Sequence, residues 1–522
     1  MKFCLRTLFT PSPRITLALA LGVSTLCTPV VSAWAESSSK PDASPTTNHA
    51  ETYRMLTLFG RVLDLVRSDY VEPVSDHDLI THALNGMLSG LDPHSSYMTQ
   101  KQYDAMMVQM KGEFGGLGLE LQQQDGHIRV ISPIDGTPGF RAGIKPGDYI
   151  IAVDGHTIDG TPLDDAVKKM RGKPHTKITL TIVRAKVPHP INFTLTREII
   201  HIDVVKSALY GRIGYIRIAE FNEAAKKEML KAYNKLREQA GGKLAGLIID
   251  LRNDPGGLLN QAIDVSSSFI RTGEIVSTRA RNPKDSQRWD AHGTDITNGL
   301  PIVVLINGGS ASASEIVSGA LQDHHRAIIM GTKSFGKGSV QSIIPIPGNG
   351  AVRLTTARYY TPSGRSIQAL GITPDITVRE TREIPIFSLH EADLEHILKN
   401  QGGTKAKPIP RTDLPAIAKE IPNEPPENWP AFDYKKPSTD FQLQEALRVV
   451  RFMANLPAPD PVASLPPLKS TKDTKEAAKN TSSTSPNASS NTSNGNQKNA
   501  DSGTISSNTP HKDKDNEPAP AP

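Results

Sequence analysis

Residues 301–341 read PIVVLINGGSASASEIVSGALQDHHRAIIMGTKSFGKGSVQ. The apolar run Pro301 to Asn307 fits a buried strand, and a turn of small residues, Asn307 to Glu315, follows it. Ala311 to Leu321 has a helical pattern, and Ala327 to Met330 is apolar again. This strand–turn–helix–strand cadence predicts an α/β sheet with helices packed on it. A strand-to-helix turn built of small residues lets a hydroxyl project and leaves backbone N–H groups free at the helix start. Those donors suit a developing oxyanion. Small residues at a helix start are also ordinary caps, so this run alone does not decide the matter.

The second half of the stretch, Ser334-Phe335-Gly336-Lys337-Gly338-Ser339-Val340-Gln341, sets a lysine between two glycines. A phosphate-binding loop requires Ser or Thr directly after the Gly-Lys pair, and Gly338 stands there instead. A lysine stripped of water by burial loses part of its affinity for a proton and can serve as a general base. Paired with a serine it makes a hydrolytic dyad that needs no histidine. His324-His325 is no metal pair, because neighbours on a helix point about 100° apart. Glu315 fits a first-turn acid favoured by the helix dipole, and His77, His82 and His94 carry no catalytic signal.

Working outward, Leu244 to Leu251 reads as another apolar strand and Asn260 to Phe269 as a helix. Between Gly112 and about Thr196 the texture changes to short strands divided by glycine turns. Leu117 to Leu121 and His127 to Ile131 are expected to pair around Asp125-Gly126. Tyr149 to Val153, a helix Leu163 to Met170 and a strand Lys177 to Val183 follow. Leu56, Phe59, Leu63 and Val66 recur at helical spacing, as do Leu443, Ala446, Leu447 and Val450. Helical segments therefore flank the strands.

Taken together, Ser310 to Gln341 closely resembles the carboxyl-terminal processing, or tail-specific, proteases. The resemblance implies that Ser312 is the nucleophile, that Lys337, 25 residues on, is the base, and that Gln341 orients the lysine. Asp250-Leu251-Arg252-Asn253-Asp254-Pro255-Gly256-Gly257 resembles the family turn that lends a backbone amide to the oxyanion hole. The implied donors are Gly256 or Gly257 and Ala313; the family more often has Asn where Asp254 stands. The glycine-turn segment resembles a PDZ domain, with Gly116-Leu117-Gly118-Leu119 as the loop that grips a ligand's C-terminal carboxylate. Tyr359 to Gln368 resembles the family's closing hairpin.

The fold class implied is α/β (α+β) and multidomain: a ClpP/crotonase-like α/β protease core, an inserted PDZ domain and helical ends. The expected order is a signal peptide at 1–35, a linker at 36–50 and a helical region at 51–107. The PDZ domain at 108–197 and the protease core at 198–385 follow. A Pro-rich and helical region at 386–455 and a low-complexity tail at 456–522 complete the chain. The activity implied is that of an exported serine endopeptidase, with neither cofactor nor metal. Its partners are protein or peptide substrates with accessible C-termini. The resemblance leaves room for an adaptor protein and a homo-oligomer, and for dyad assembly on PDZ docking. Two rivals are a catalytically dead PDZ scaffold and another exported acyl hydrolase. Ser312, Lys337 and Gln341 speak against the first, and the PDZ segment against the second.

Composition agrees with that reading. Lys2, Arg6 and Arg14 precede an apolar run, Ile15 to Leu26, and Ala33-Trp34-Ala35 makes a small-x-small end, so the start reads as a secretory signal. A periplasmic location is expected, with inner-membrane association if the signal is retained. Without residues 1–35 the chain carries 56 basic and 54 acidic residues, which gives no case for nucleic-acid binding. Both cysteines, Cys4 and Cys27, lie within the signal, so the remaining chain has no thiol chemistry. Beyond Leu456 the sequence is Ser, Thr, Asn, Pro and Lys with scarcely an apolar residue, and is expected to be disordered.

Overall fold

A computed structural model describes residues 49–124, 126–382, 389–401, 411–433, 436–457 and 469–470. The expected signal peptide and nearly all of the 36–50 linker lie outside these residues, as does most of the tail. The chain divides into two compact units, 1–79 and 80–522. In the first, the helix His49–Asp69 buries none of its residues.

The second unit holds a seven-stranded sheet. Four neighbouring strands run in the order Ile213–Ile218, Gly246–Asp250, Ile302–Ile306 and Ile328–Gly331, all parallel. Every residue of Gly246–Asp250 and Ile302–Ile306 is buried. Parallel strands covered on both faces read as continuous apolar runs, which is why these two were legible without any alternation. On one face Ile249, Val304 and Ile306 pack against the helices Ala225–Gln239, Leu259–Ser267 and Ala313–Asp323. On the other, Ile248, Val303, Leu305 and Met330 pack against the helix Phe441–Met453, whose Leu443, Ala446, Leu447 and Val450 are buried. The core is thus helix–sheet–helix, the expected α/β class.

The glycine-turn segment forms a separate six-stranded sheet, whose path runs Leu119–Gln124, His127–Pro133, Tyr149–Val153, Lys177–Val183 and Ile191–Thr196. Ile178, Leu180 and Ile182 alternate inward and share a core with Ile128, Val130, Ile150, Ala166 and Met170. The first strand begins later than the pattern predicts. Gly118 takes φ 69, and a Cβ there would meet the Thr137 side chain at 2.3 Å. The chain therefore turns at Gly118, and Glu113–Gly116 pairs instead with Glu198–His201.

Two further features were not anticipated. Ser339–Pro345 and Ala351–Tyr360 form a long antiparallel hairpin, for which Pro347-Gly348-Asn349-Gly350 was an available turn signal. Within the expected tail, Lys469–Ser470 pairs with Val205–Tyr210.

Candidate active site

Ser312 stands immediately before the helix Ala313–Asp323, at φ 54 and ψ −110, and is 7 % exposed. A non-glycine residue at positive φ is costly and persists where its surroundings over-determine it, commonly at functional sites. The two flanking serines serve the backbone. Ser310 Oγ donates to the Leu251 carbonyl at 2.8 Å, and Ser314 Oγ to the Asp254 carbonyl at 3.1 Å. The Ser312 hydroxyl has no such backbone acceptor among the described residues. It interacts with Tyr359, whose phenol burial pushes up to about 12 while the Ser312 hydrogen bond works against that shift.

Glu315, one helical turn on, is fully buried and organises the site. Its Oε2 accepts the backbone N–H of Ser312 at 2.9 Å and that of Lys337 at 2.9 Å. Its Oε1 accepts Gly336 N–H at 2.7 Å and the Ser334 hydroxyl at 2.5 Å. Burial pushes this carboxyl up to about 7, against those four hydrogen bonds. The Ser-x-x-Glu spacing was a visible capping-box signal. Reading Glu315 as a first-turn acid missed that its carboxylate joins two separate loops.

The lysine loop is braced from several directions. Phe335 N–H donates to the Ser310 carbonyl at 3.0 Å, and Gly338 N–H to Gln368 Oε1 at 3.0 Å. Gln368 in turn donates to Glu391, which pairs with His94. Lys337 is itself partly buried. Desolvation holds its ammonium below the usual lysine range, assisted by Arg353 and opposed by Glu391, Glu315 and Asp92. Its backbone is tied to Ser312 through Glu315, but no hydrogen bond joins Ser312 Oγ to Lys337 Nζ among the described residues. The Gln341 amide donates to Ser339 Oγ at 2.9 Å and Thr355 Oγ1 at 3.2 Å rather than to the lysine. Thr355 Oγ1 donates onward to Asp92.

The loop 250–257 faces Ser312. Arg252 fixes its start: the guanidinium donates to Asp250 and to Asp440, both at 2.6 Å, and Tyr215 also donates to Asp250 at 2.6 Å. Farther along, Gly256 N–H is taken by Asp254 Oδ1 at 2.9 Å. Gly257 N–H and Ala313 N–H have no acceptor among the described residues. A Cβ on Gly256 would lie 2.8 Å from Ser312 Cβ and 2.9 Å from Ala313 N, so the loop is pressed against the serine. Gly257 has φ 143, and a Cβ there would meet the Phe221 carbonyl oxygen at 2.4 Å. Asp254 is fully buried, burial pushes its carboxyl up to about 8, and its Oδ2 has no hydrogen-bond partner among the described residues.

In the second sheet domain, Phe114, Gly116, Leu117, Gly118, Leu119, Leu121, Val167, Met170 and Arg171 line a pocket of about 180 Å³. The Leu117 and Gly118 N–H groups have no acceptor among the described residues. His324 Nε2 meets the Glu274 carbonyl and His325 meets Asp413, and no metal-binding group occurs among the described residues.

Residues 212–378 match peptidase family S41, residues 129–184 match the PDZ domain, and residues 21–102 match the activating protease CtpB N-terminal domain. The chain is 46 % identical over 412 residues to a carboxy-terminal-processing protease of Bartonella bacilliformis, covering 78 % of this chain and 90 % of that one. It is 37 % identical over 336 residues to the carboxyl-terminal-processing protease of Synechocystis sp., covering 63 % and 77 %. Among solved structures, the photosystem II D1 C-terminal processing protease is similar at 28 % identity and a TM-score of 0.36, covering 63 % of this chain and 88 % of that one. The chain belongs to the carboxyl-terminal-processing proteases of peptidase family S41, and is a serine peptidase that carries a PDZ domain.

Proposed function

We propose that the chain is an exported endopeptidase in which Ser312 is the nucleophile and Lys337 the general base. One observation carries this reading. Of the three serines in the turn, Ser312 alone has a hydroxyl with no backbone carbonyl acceptor among the described residues, and two amides without an acceptor among those residues flank it.

Substrate binding brings Lys337 Nζ onto the serine, since catalytic hydrogen bonds are often long or unformed before the substrate arrives. Neutral Lys337 takes the Ser312 proton as Oγ attacks the scissile carbonyl. Gly257 N–H and Ala313 N–H hold the oxyanion, because Gly256 N–H already serves Asp254. Collapse expels the amine, which receives the proton from Lys337. Water, deprotonated by the same lysine, then hydrolyses the acyl ester. Gln341 acts at one remove, bracing Thr355 and through it the Asp92 carboxylate that bears on the lysine.

The PDZ pocket receives an apolar side chain at the substrate C-terminus, and the Leu117 and Gly118 amides hold the terminal carboxylate. A periplasmic site of action, delivery by an adaptor and assembly with a second copy belong to the same proposal. They rest on the signal-like start, the PDZ pocket and the unburied apolar residues of His49–Asp69.

The test is mass spectrometry of enzyme quenched during turnover of an activated peptide ester. An acyl group on Ser312 is expected, absent from Lys337→Ala. A stable adduct on any other residue overturns the assignment.

A further inference from the structure

A cleft of about 1210 Å³ adjoins the candidate active site. Its lining includes Leu259, two residues beyond Gly257, and Val340, three beyond Lys337. It also includes Asp92, whose charge bears on the lysine.

Arg279, Arg281 and Arg358 also line the cleft. Arg279 and Arg358 are register partners across the antiparallel strands Glu274–Ala280 and Ala351–Tyr360. Like charges set directly opposite one another weaken a sheet. None of the three guanidiniums has an ion pair with any described residue, whereas Arg252, Arg326, Arg365 and Arg411 all do. Arg358 Nε is buried without a hydrogen-bond partner among the described residues. Arg279 lies over the Tyr360 ring at 3.8 Å, a cation–π contact that leaves N–H donors for a ligand. Of the two acids that share the cleft, Asp92 is engaged by Ser95 and Thr355, and Asp285 is exposed. A row of unpaired arginine forks, held at a cost to the sheet, fits carboxylate ligands.

We propose that this arginine wall binds acidic side chains of the polypeptide being cleaved, so that the enzyme favours substrates with Asp or Glu near the scissile bond. The proposal rests on the reading of Ser312 and Lys337 as the site of cleavage. Leu259, Trp289 and Leu354 give the same cleft apolar surface for the intervening residues. The specificity therefore has two parts, an apolar C-terminus at the PDZ pocket and acidic residues at the cleft.

The test measures binding of labelled peptides to the full chain carrying Ser312→Ala. One peptide has a run of glutamates, and its counterpart has glutamines at the same positions. Both are C-terminally amidated, so the PDZ carboxylate loop contributes equally little to each. The acidic peptide is expected to bind about tenfold more tightly at low salt, and added salt should shrink the difference. Arg279→Gln with Arg358→Gln should abolish the difference, and Arg281→Gln alone should reduce it. The double variant should melt no lower than its parent, since a like-charge pair is removed; that separates lost recognition from lost folding. Equal affinity for the two peptides, or a preference that survives the double substitution, overturns the proposal. Binding needs no working dyad, and peptide cut by the Ser312→Ala chain would instead count against the nucleophile assignment.

Discussion

The backbone amides of Ser312 and Lys337 donate to the same oxygen, Oε2 of Glu315, each at 2.9 Å. Two loops 25 residues apart are thereby held at one carboxylate. Glu315→Gln must turn an NH₂ group toward one pair of these donors and leave them unpaired in a buried site. Unmet buried donors cost about 1–3 kcal/mol each, so stability should fall by that order. The kcat should fall by about tenfold or more, since a small misplacement of reacting groups is expensive. Denaturant unfolding and steady-state kinetics on one preparation check both, and unchanged kinetics would remove Glu315 from the account.

In the proposed mechanism the working form of Lys337 is neutral, and burial with Arg353 nearby holds its ammonium below the ordinary lysine range. Activity should therefore fall as pH drops through that lowered value and be retained above it. Arg353→Gln removes a positive neighbour and should move the limb upward. A pH–rate profile with a folding control reads this directly; a limb that stays in place contradicts the electrostatic assignment.

Asp254 has its pKa raised in the fold from 3.8 to about 8 by burial. A carboxyl raised in this way lends stability that is fully present below about pH 4 and lost as pH rises toward 8. The melting temperature should thus decline between pH 5 and pH 8. Asp254→Asn keeps an acceptor for Gly256 N–H but cannot ionise, so its melting temperature should decline less steeply while activity persists. Identical slopes in the two proteins would exclude Asp254 as the source.

Gly257→Ala tests the proposed oxyanion donor. Its φ of 143 and the Phe221 carbonyl at 2.4 Å leave no room for a methyl group, so the loop must shift. Loss of one oxyanion donor typically costs about 10²–10³ in kcat. The expected result is a loss of that order with KM little changed, measured on a short peptide.

Much of this was legible in the sequence for physical reasons that differ by region. The buried parallel strands announced themselves as apolar runs, and Phe441–Met453 by its four-residue rhythm. Ser312, Lys337 and the loop 250–257 are local motifs whose chemistry dictates their residues. Glu315, Tyr359, Gln368 and Glu391 were not seen as parts of the site, because each acts on residues from another segment. Their roles depend on burial and contact, which no local pattern encodes. The hydrogen bond that occupies Gly256 and leaves Gly257 free is likewise a matter of side-chain placement.

The central claim is that Ser312 and Lys337 act as one unit, and initial rates of hydrolysis of a denatured protein test it most directly. Ser312→Ala and Lys337→Ala should each drop to background and their combination no lower, while unfolding curves match the parent. Ser310→Ala and Ser314→Ala should keep most activity, because their hydroxyls serve the backbone. Full activity in Ser312→Ala would contradict the account.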